Sequence, residues 1–396
     1  MQDTAAIPQF SLAERDARWA RVRARMDEAG LDCLIGFPNQ GRFEQLQANT
    51  RYLVQIGGFA TEVAVVFPRS GAVTAFLQGP RDIDWWSGAQ SWIQDLRLSR
   101  RLWSEAIVAR LKELSVRRVG VIALEGLIRA PEGVVPWTMY ERVRAAFPDV
   151  AFVDATQVVL GARAVKSAEE IAFVENAERI AELAADALVA TARPGVPENV
   201  VYAEMVRAMI ANGGELPTMI YWSAGQTPSP AHLVPTGRRL QPGDVLSNEI
   251  EAKWGGYIAQ VAAPATIGPA SDERHRMFET ARGIFEALCE TIRPGVALAD
   301  AGRAYRALAE QAGYGPVSWP FHGRGLGDDL PAMPNAGAAV GPAFEEGHVL
   351  ILKPGIVPRG QSENAGERAG DTVIVTRDGA RRLGRRPIEL TELPLS

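Results

Sequence analysis

A repeat in the second half of the chain constrains the fold more than any other feature. The hexapeptide Thr191 to Val196 returns, with Arg-Pro-Gly at its centre, as Thr291 to Val296 after 100 residues. Each copy lies between two helical patterns, and the later strand pattern from Gly243 to Glu249 returns as Gly347 to Lys353. A shared order of helix, turn, helix and strand at a near-constant offset indicates a duplicated unit. We expect the two copies to pack about a pseudo-twofold axis, with a site in the cleft between them.

The first 160 residues show a different pattern, in which helices alternate with strands. Leu12 to Gly30 predicts an amphipathic helix, and Leu31 to Gly36 predicts a buried strand. Ala64 to Phe67 and Val73 to Leu77 flank a turn and predict a hairpin. This alternation indicates a small α/β domain around a mixed sheet. The region lacks a Gly-x-Gly-x-x-Gly turn, so nothing in it favours dinucleotide binding.

The length of the chain and a change of pattern near Lys166 predict two domains. A chain of 396 residues is long for one compact domain, and the helices become longer after Lys166. We predict an α/β (α+β) protein with a small N-terminal α/β domain over residues 1–163 and a second domain, containing the repeat, over residues 164–396.

Charge and composition exclude several classes of function. The net charge is −5 and no basic run is present, which argues against nucleic-acid or anionic-membrane partners. Cys33 and Cys289 lie far apart and have no metal-ligand spacing, which favours two reduced thiols. The first ten residues do not form a signal-peptide pattern, and no apolar run is long enough to span a bilayer. We expect a cytoplasmic protein that acts on a small molecule.

A set of short motifs, specific only in combination and in this order, resembles a known superfamily. The motifs are Lys166–Ile171, Ser229–His232, Gly243–Asp244, Gly256–Tyr257, His322–Gly327, Lys353–Gly355 and Asp371–Val375. Residues 160–390 resemble the pita-bread fold of methionine aminopeptidase, prolidase and creatinase. The N-terminal region resembles the N-terminal domain of creatinase and prolidase.

The resemblance implies a two-metal site, but this chain departs from it. The peptidases use two aspartates, one histidine and two glutamates as ligands. The matching positions here are Glu249, Gln260, His322, Lys353 and Gly370. A two-metal site needs four or five anionic or imidazole donors, whereas Lys353 is a cation and Gly370 has no side chain. We therefore predict a creatinase-like member without a metal site and without a cofactor.

Lys353 and Glu249 occupy equivalent positions in the two copies of the repeat. The pseudo-twofold axis is therefore expected to bring them together at the floor of the cleft. Our hypothesis is a partly buried ion pair that polarises a substrate carbonyl or carboxylate as the metal does in the peptidases. A purely structural bridge that fills the former metal site is the alternative.

Two histidines match active-site positions of the superfamily. His232 matches the catalytic histidine of creatinase, and an imidazole titrates near working pH, as a general acid and base requires. His322 is suited to bind the substrate or a developing oxyanion. The positions that match the guanidinium-binding carboxylates of creatinase are near Ala262 and Ala369, so creatine is not the expected substrate.

Eight further residues are candidates for substrate binding. They include a carboxylate on the same strand face as Glu249, a polar residue at a former ligand position, acidic loop residues, aromatic residues and one arginine suited to a carboxylate. The residues are Glu251, Gln260, Arg324, Trp222, Trp254, Tyr221, Glu363 and Glu367. For the aromatic residues a place in the core is an equal alternative, and the loop carboxylates also fit plain surface charges.

These observations favour a metal-independent hydrolase of a C–N bond (amide, amidine or lactam) in a small polar compound. A lyase on the same scaffold, a non-catalytic peptide- or protein-binding module, and residual metal peptidase activity are the alternatives. The resemblance also implies a homodimer. The segments Asp82–Trp92 and Asn49–Tyr52 are the predicted contacts with the partner subunit.

Overall fold

The computed structural model describes residues 7–38, 45–58, 61–228, 234–332 and 343–396. The chain forms two compact units, Met1–Glu169 with Leu326–Asp329, and Glu170–Gly325 with Leu330–Ser396. Both units contain helices and strands, so the predicted two-domain α/β class is confirmed. The division falls after Glu169, slightly beyond the predicted limit at residue 163.

The first unit is built on a six-stranded mixed sheet in the order β4-β3-β2-β1-β5-β6. Strands β1 and β2 and strands β2 and β3 pair antiparallel, whereas the other neighbours are parallel. The hairpin of β2 and β3 confirms the prediction from the turn between them. The strands are β1 Cys33–Gly36, β2 Ala64–Pro68, β3 Thr74–Leu77, β4 Asp95–Leu98, β5 Arg118–Val121 and β6 Ala151–Asp154. The helices are α1 Leu12–Glu28, α2 Gln45–Val54, α3 Pro80–Ala89, α4 Trp103–Leu114, α5 Trp137–Ala145 and α6 Thr156–Arg163.

Asn49–Tyr52 lies inside helix α2, and its side chains are buried within the first unit. The Tyr52 hydroxyl donates to the carbonyl of Ala162 at 2.8 Å, and the Asn49 carbonyl oxygen accepts from Arg163 at 2.6 Å. Side chains used in this way cannot form an exposed contact surface, so the prediction that this segment contacts a partner subunit is wrong. The other predicted segment forms helix α3 and the turn after it, where Trp85 is 45% exposed.

The second unit contains the two copies of the repeat. The first copy consists of α7 Ala168–Thr191, α8 Glu198–Ala211, β7 Ile220–Gly225, β8 Val245–Trp254, β9 Tyr257–Val261 and β10 Ala265–Ile267. The second consists of α9 Asp272–Thr291, α10 Leu298–Gln311, β11 Tyr314–Val317, β12 Phe321–Gly323, β13 Val349–Leu352, β14 Gly355–Pro358, β15 Glu367–Arg368, β16 Asp371–Thr376 and β17 Gly379–Arg382. The last strand, β18 Thr391–Leu393, returns to pair with β10.

The backbone confirms the duplication at the two Pro-Gly turns. Gly195 and Gly295 have positive φ angles of 83° and 86°, a conformation that glycine adopts without steric cost. The Gly195 amide donates to the carbonyl of Leu240 at 2.8 Å, and the Gly295 amide donates to that of Phe344 at 3.0 Å. Each copy thus binds its own later segment through the same turn, and each has its own apolar core.

The strands described in the second unit form three sheets. In the first sheet the strand order is β18-β10-β8-β7, and β9 also pairs with β8. The other two sheets have the orders β12-β13-β16-β17 and β11-β14-β15. In the described part of the chain, no helix combines the length and apolar character that a bilayer crossing requires.

Candidate functional site

Strand β8 presents a row of polar side chains on one face. Glu249 and Glu251 are two residues apart, so alternation of side chains along the strand places both on that face. Glu249 is the register partner of Tyr221 on β7, and Glu251 is that of Gln260 on β9. All four side chains are at least 95% buried, with exposures of 0 to 5%. Three neighbouring strands thus assemble a buried polar face.

Glu249 is the centre of an ion cluster. The Lys353 ammonium donates to Glu249 Oε2 at 2.6 Å, and the Arg368 guanidinium donates to the other carboxylate oxygen. The predicted pair of Glu249 and Lys353 is therefore present. The sequence analysis did not identify Arg368 as a member of this cluster. Its position gave a signal, because Gly370 matches a ligand position and the residue two places earlier in an extended segment lies on the same face.

The charges in this cluster shift the pKa values of its members. Burial by itself raises the pKa of Glu249, but the charges of Lys353 and Arg368 outweigh it and lower the pKa to about 2. Burial lowers the pKa of Lys353, and the charge of Glu249 opposes this shift. When Lys353 and Arg368 are both protonated, the cluster contains two cations and one carboxylate, and so carries one excess positive charge. It is therefore suited to attract an anionic or strongly polarised group.

A narrow cleft, open to solvent, adjoins the cluster. Arg368 lines it and so connects the cleft to Glu249. Glu363, in a short 3-10 turn, and Glu367 also line the cleft. Glu367 forms an ion pair with Arg274 of helix α9, which leaves Glu363 as the more exposed carboxylate of the two.

Arg324 is not placed to bind a substrate carboxylate, and this prediction needs correction. Its side chain is completely buried and forms an ion pair with Glu251. Sequence spacing gave no indication of this pair, because the two residues lie 73 positions apart. Arg324 is therefore engaged with Glu251 inside the protein and does not face a substrate.

The aromatic candidates lie in different places. Trp222 is fully buried in the core of the first repeat copy, where its indole N–H donates to Glu198 at 3.0 Å. Trp254 packs its ring against Phe173 at a centroid distance of 4.7 Å. Neither frames the cleft. Tyr221 lies beside the ion cluster instead, with its ring 6.0 Å from the guanidinium carbon of Arg368.

The two candidate histidines differ in what the structure describes. His322 on β12 is 6% exposed and lies opposite Ile351 of β13, two residues before Lys353. Its Nδ1 is 3.2 Å from the carbonyl oxygen of Gly323. His232 lies outside the described residues. Pro228, just before that segment, lines the cleft.

The donor chemistry of the site does not fit the two-metal centre that the fold implies. Two cations bind Glu249, the position of the first ligand, and Gln260 and Gly370 replace two carboxylates. The part of the chain that the structure describes contains no group of three or more His, Cys, Asp or Glu side chains placed to hold a metal ion. No step through a metal ion can be derived from these residues.

The buried carboxyl group of Glu178 makes the stability of the protein depend on pH. Glu178 on α7 lies beside Asp371 on β16, and a Cβ atom added to Gly384 would lie within 3 Å of both carboxyl groups. Burial and the charge of Asp371 raise the pKa of Glu178 well above its ordinary value. The folded protein thus keeps a proton that the unfolded chain releases above about pH 4.3, so stability falls as the pH rises from there through the folded pKa.

Glu178→Gln is expected to remove this loss, because glutamine is neutral at every pH. The melting temperature should rise above that of the wild type at pH 8 and match it at pH 4. The gain in the free energy of unfolding at pH 8 should be about 1.4 kcal/mol for each unit by which folding raises the pKa of Glu178. Thermal unfolding at both pH values tests this. An equal effect of the substitution at pH 4 and pH 8 would contradict it.

Comparisons with known proteins agree with this architecture. Residues 172–377 match the model of metallopeptidase family M24, and residues 18–165 match the creatinase/prolidase N-terminal domain. Creatinase of Bacillus sp. (strain B-0618) is 26% identical over 96% of this chain and 92% of its own length. Xaa-Pro dipeptidase of Pyrococcus furiosus is 26% identical over 65% of this chain and 74% of its own. The solved Xaa-Pro dipeptidase from Bacillus anthracis superposes with a TM-score of 0.79 at 21% identity, over 96% of this chain and all of that one.

Proposed function

Because the chain belongs to metallopeptidase family M24 and carries a creatinase/prolidase N-terminal domain, we propose that it hydrolyses a C–N bond of a small polar compound without a metal ion. Its relatives include proteins named creatinase and Xaa-Pro dipeptidase. The single observation that carries the proposal is the ammonium of Lys353, bound to Glu249 at a position where the metallopeptidases have an acidic ligand.

The cluster supplies the electrophilic assistance. Lys353 and Arg368 attract a carboxylate or carbonyl oxygen of the substrate and stabilise negative charge as it develops there. Preorganised cations in a buried site act without reorganisation at the moment of reaction. Glu249 fixes both cations and keeps their combined charge low enough for burial.

Proton transfer is assigned to histidine. His232 takes a proton from the attacking water and returns it to the departing nitrogen, which balances the hydrolysis without another reactant. His322, buried on β12, hydrogen-bonds the substrate or the developing oxyanion. The amide, amidine and lactam classes all fit this scheme. We further propose a cytoplasmic homodimer, which gel filtration at the mass of a single chain would contradict.

The proposal is tested by assaying the purified protein for ammonia or amine release from a panel of amides, amidines and lactams. Activity should persist in EDTA, and elemental analysis should find no stoichiometric manganese, cobalt or zinc. His232→Ala should lower kcat by about 10²–10⁴-fold, the usual contribution of a general acid or base. His275→Ala is the matched control, because His275 is exposed on α9 and bound only to the surface carboxylate of Glu392 among the contacts the structure gives it.

Three results would overturn the proposal in different ways. Stoichiometric metal with EDTA-sensitive activity restores a metallopeptidase. Elimination products without water incorporation indicate a lyase. Ligand binding without turnover of any compound in the panel indicates a binding module.

A further inference from the structure

Helix α8 has an apolar outer side, although that side is exposed to solvent. Val200 and Ile210 are 43% and 40% exposed, and Ala203 between them is exposed as well. Their spacings of three and seven positions place them on one face of the helix, whereas Val201 and Met205 are buried on the other. A surface helix normally carries polar residues on its outer face, and a helix that is apolar all round is normally covered.

Two charges of opposite sign lie at the middle of this helix. Glu204 and Arg207 form an ion pair at 2.6 Å, and their side chains are 36% and 67% exposed. The third charged residue of the helix, Glu198, is 6% exposed and binds Trp222 and Thr236 inside the protein. The outer face of α8 is therefore neutral as a whole.

Helix α10 is an internal reference for this face. It occupies the same place in the second copy of the repeat, has the same length as α8 and begins 100 residues later. Charged and exposed residues occupy the positions of α10 that match the apolar outer residues of α8. They are Asp300, Arg303 and Glu310. Because the fold accepts charges at these positions, the apolar face of α8 indicates a contact that α10 does not make.

We infer that the outer face of α8 packs antiparallel against α8 of a second copy of this chain, about a twofold axis midway between Ala203 and Arg207. Such an axis places Val200 opposite Ile210 of the second copy, at both ends of the contact. It also places Ala203 opposite Arg207 of the second copy, so that a small residue faces a long one. The guanidinium then lies beside Glu204 of the opposite chain, where the charges attract.

The symmetry of the face favours a second copy over a different protein. One helix contains the apolar residues and both charges, in positions that a twofold axis exchanges with one another, whereas a face that binds a different protein needs no such relation. Pairing also removes Val200 and Ile210 of both copies from water, which favours association. The inference deepens the proposed homodimer and rests on it, but it does not rest on the proposed catalysis. Helix α8 is not among the segments predicted to contact a partner subunit.

The test is the mass of the full-length protein in solution, measured by light scattering after gel filtration and by sedimentation equilibrium. The wild type should have the mass of two chains. The triple variant Val200→Asp, Ala203→Arg and Ile210→Glu gives α8 the outer face of α10, which the fold accepts at the matching positions. In the antiparallel pair it sets acid against acid at both ends and base against base near the axis, so the dissociation constant should rise about 100-fold or more. The melting temperature of the single chain should change little.

A charge exchange tests the antiparallel geometry. Arg207→Glu places a carboxylate beside Glu204 of the second copy, so the dimer should dissociate. The double variant Arg207→Glu and Glu204→Arg should restore it, because opposite charges meet again across the axis. Arg303→Glu on α10 is the matched control and should leave the mass unchanged. Arg303 is 68% exposed and likewise pairs with an acidic residue three positions earlier, Asp300.

The outcomes separate this inference from the other proposals. A wild type with the mass of a single chain at every concentration refutes the homodimer and the inference together. A dimer that persists in the triple variant, or one that the double variant fails to restore, refutes the inference and leaves the homodimer intact. Turnover of the C–N panel bears only on the hydrolase, because none of the substituted residues lines the cleft.

Discussion

Lys353→Met is expected to lower kcat by about 10²–10³-fold, the usual cost of removing one preorganised stabiliser of transition-state charge. Methionine keeps most of the length of the lysine side chain and removes the ammonium that lies 2.6 Å from Glu249 Oε2. Arg368 still binds the other oxygen of Glu249, so the carboxylate is not left unpaired. The fold should therefore tolerate the substitution. Steady-state kinetics with the best substrate from the C–N panel, together with thermal unfolding, measures both effects.

Two companion variants make this result specific. Lys353→Arg keeps the charge and should recover part of the lost kcat. Lys112→Met, at an exposed lysine near the end of helix α4, should leave kcat unchanged. Unchanged turnover in Lys353→Met would show that the ion pair is only a structural bridge in place of the former metal ions.

The sequence contained the information for the repeat and for the pair at its centre. Gly195 and Gly295 recur because only glycine adopts the positive φ of each turn at no steric cost, and a pattern imposed by the backbone is visible in the sequence. Glu249 and Lys353 occupy the same place in the two copies, so the duplication itself predicted their contact. The hairpin of β2 and β3 followed from local turn chemistry in the same way.

Other contacts depend on tertiary geometry that no local pattern encodes. Arg324 is adjacent to the predicted site in sequence, yet its charge is neutralised by Glu251 on another strand. Trp222 alternates with Tyr221 along β7, so one ring faces the polar site and the other enters the core. Which of the two faces inward depends on the pairing of β7 with β8, and the periodicity of an aromatic pair alone does not determine it.

The ion pairs buried in the first unit are a further set of contacts that no local sequence pattern encodes. Asp329 is 1% exposed in its side chain and forms ion pairs with Arg163 and, at 2.8 Å, with Lys166. Burial by itself raises the pKa of Asp329, but Arg163 and Lys166 outweigh it and lower the pKa. Asp329 is the shared counter-charge of the two cations, and all three groups are removed from water.

Asp329→Ala is expected to destabilise the first unit by about 3–5 kcal/mol, because it leaves two buried cations without their carboxylate. The cost arises from uncompensated charge and not from the loss of favourable pairing. The triple variant Asp329→Leu, Arg163→Met and Lys166→Met should therefore be more stable than the single variant, although it removes more polar contacts. Urea unfolding followed by fluorescence measures both, and Glu141→Gln, which breaks an exposed pair with Arg144, should leave the midpoint unchanged. A triple variant less stable than Asp329→Ala would show instead that the ion pairs themselves contribute net stability.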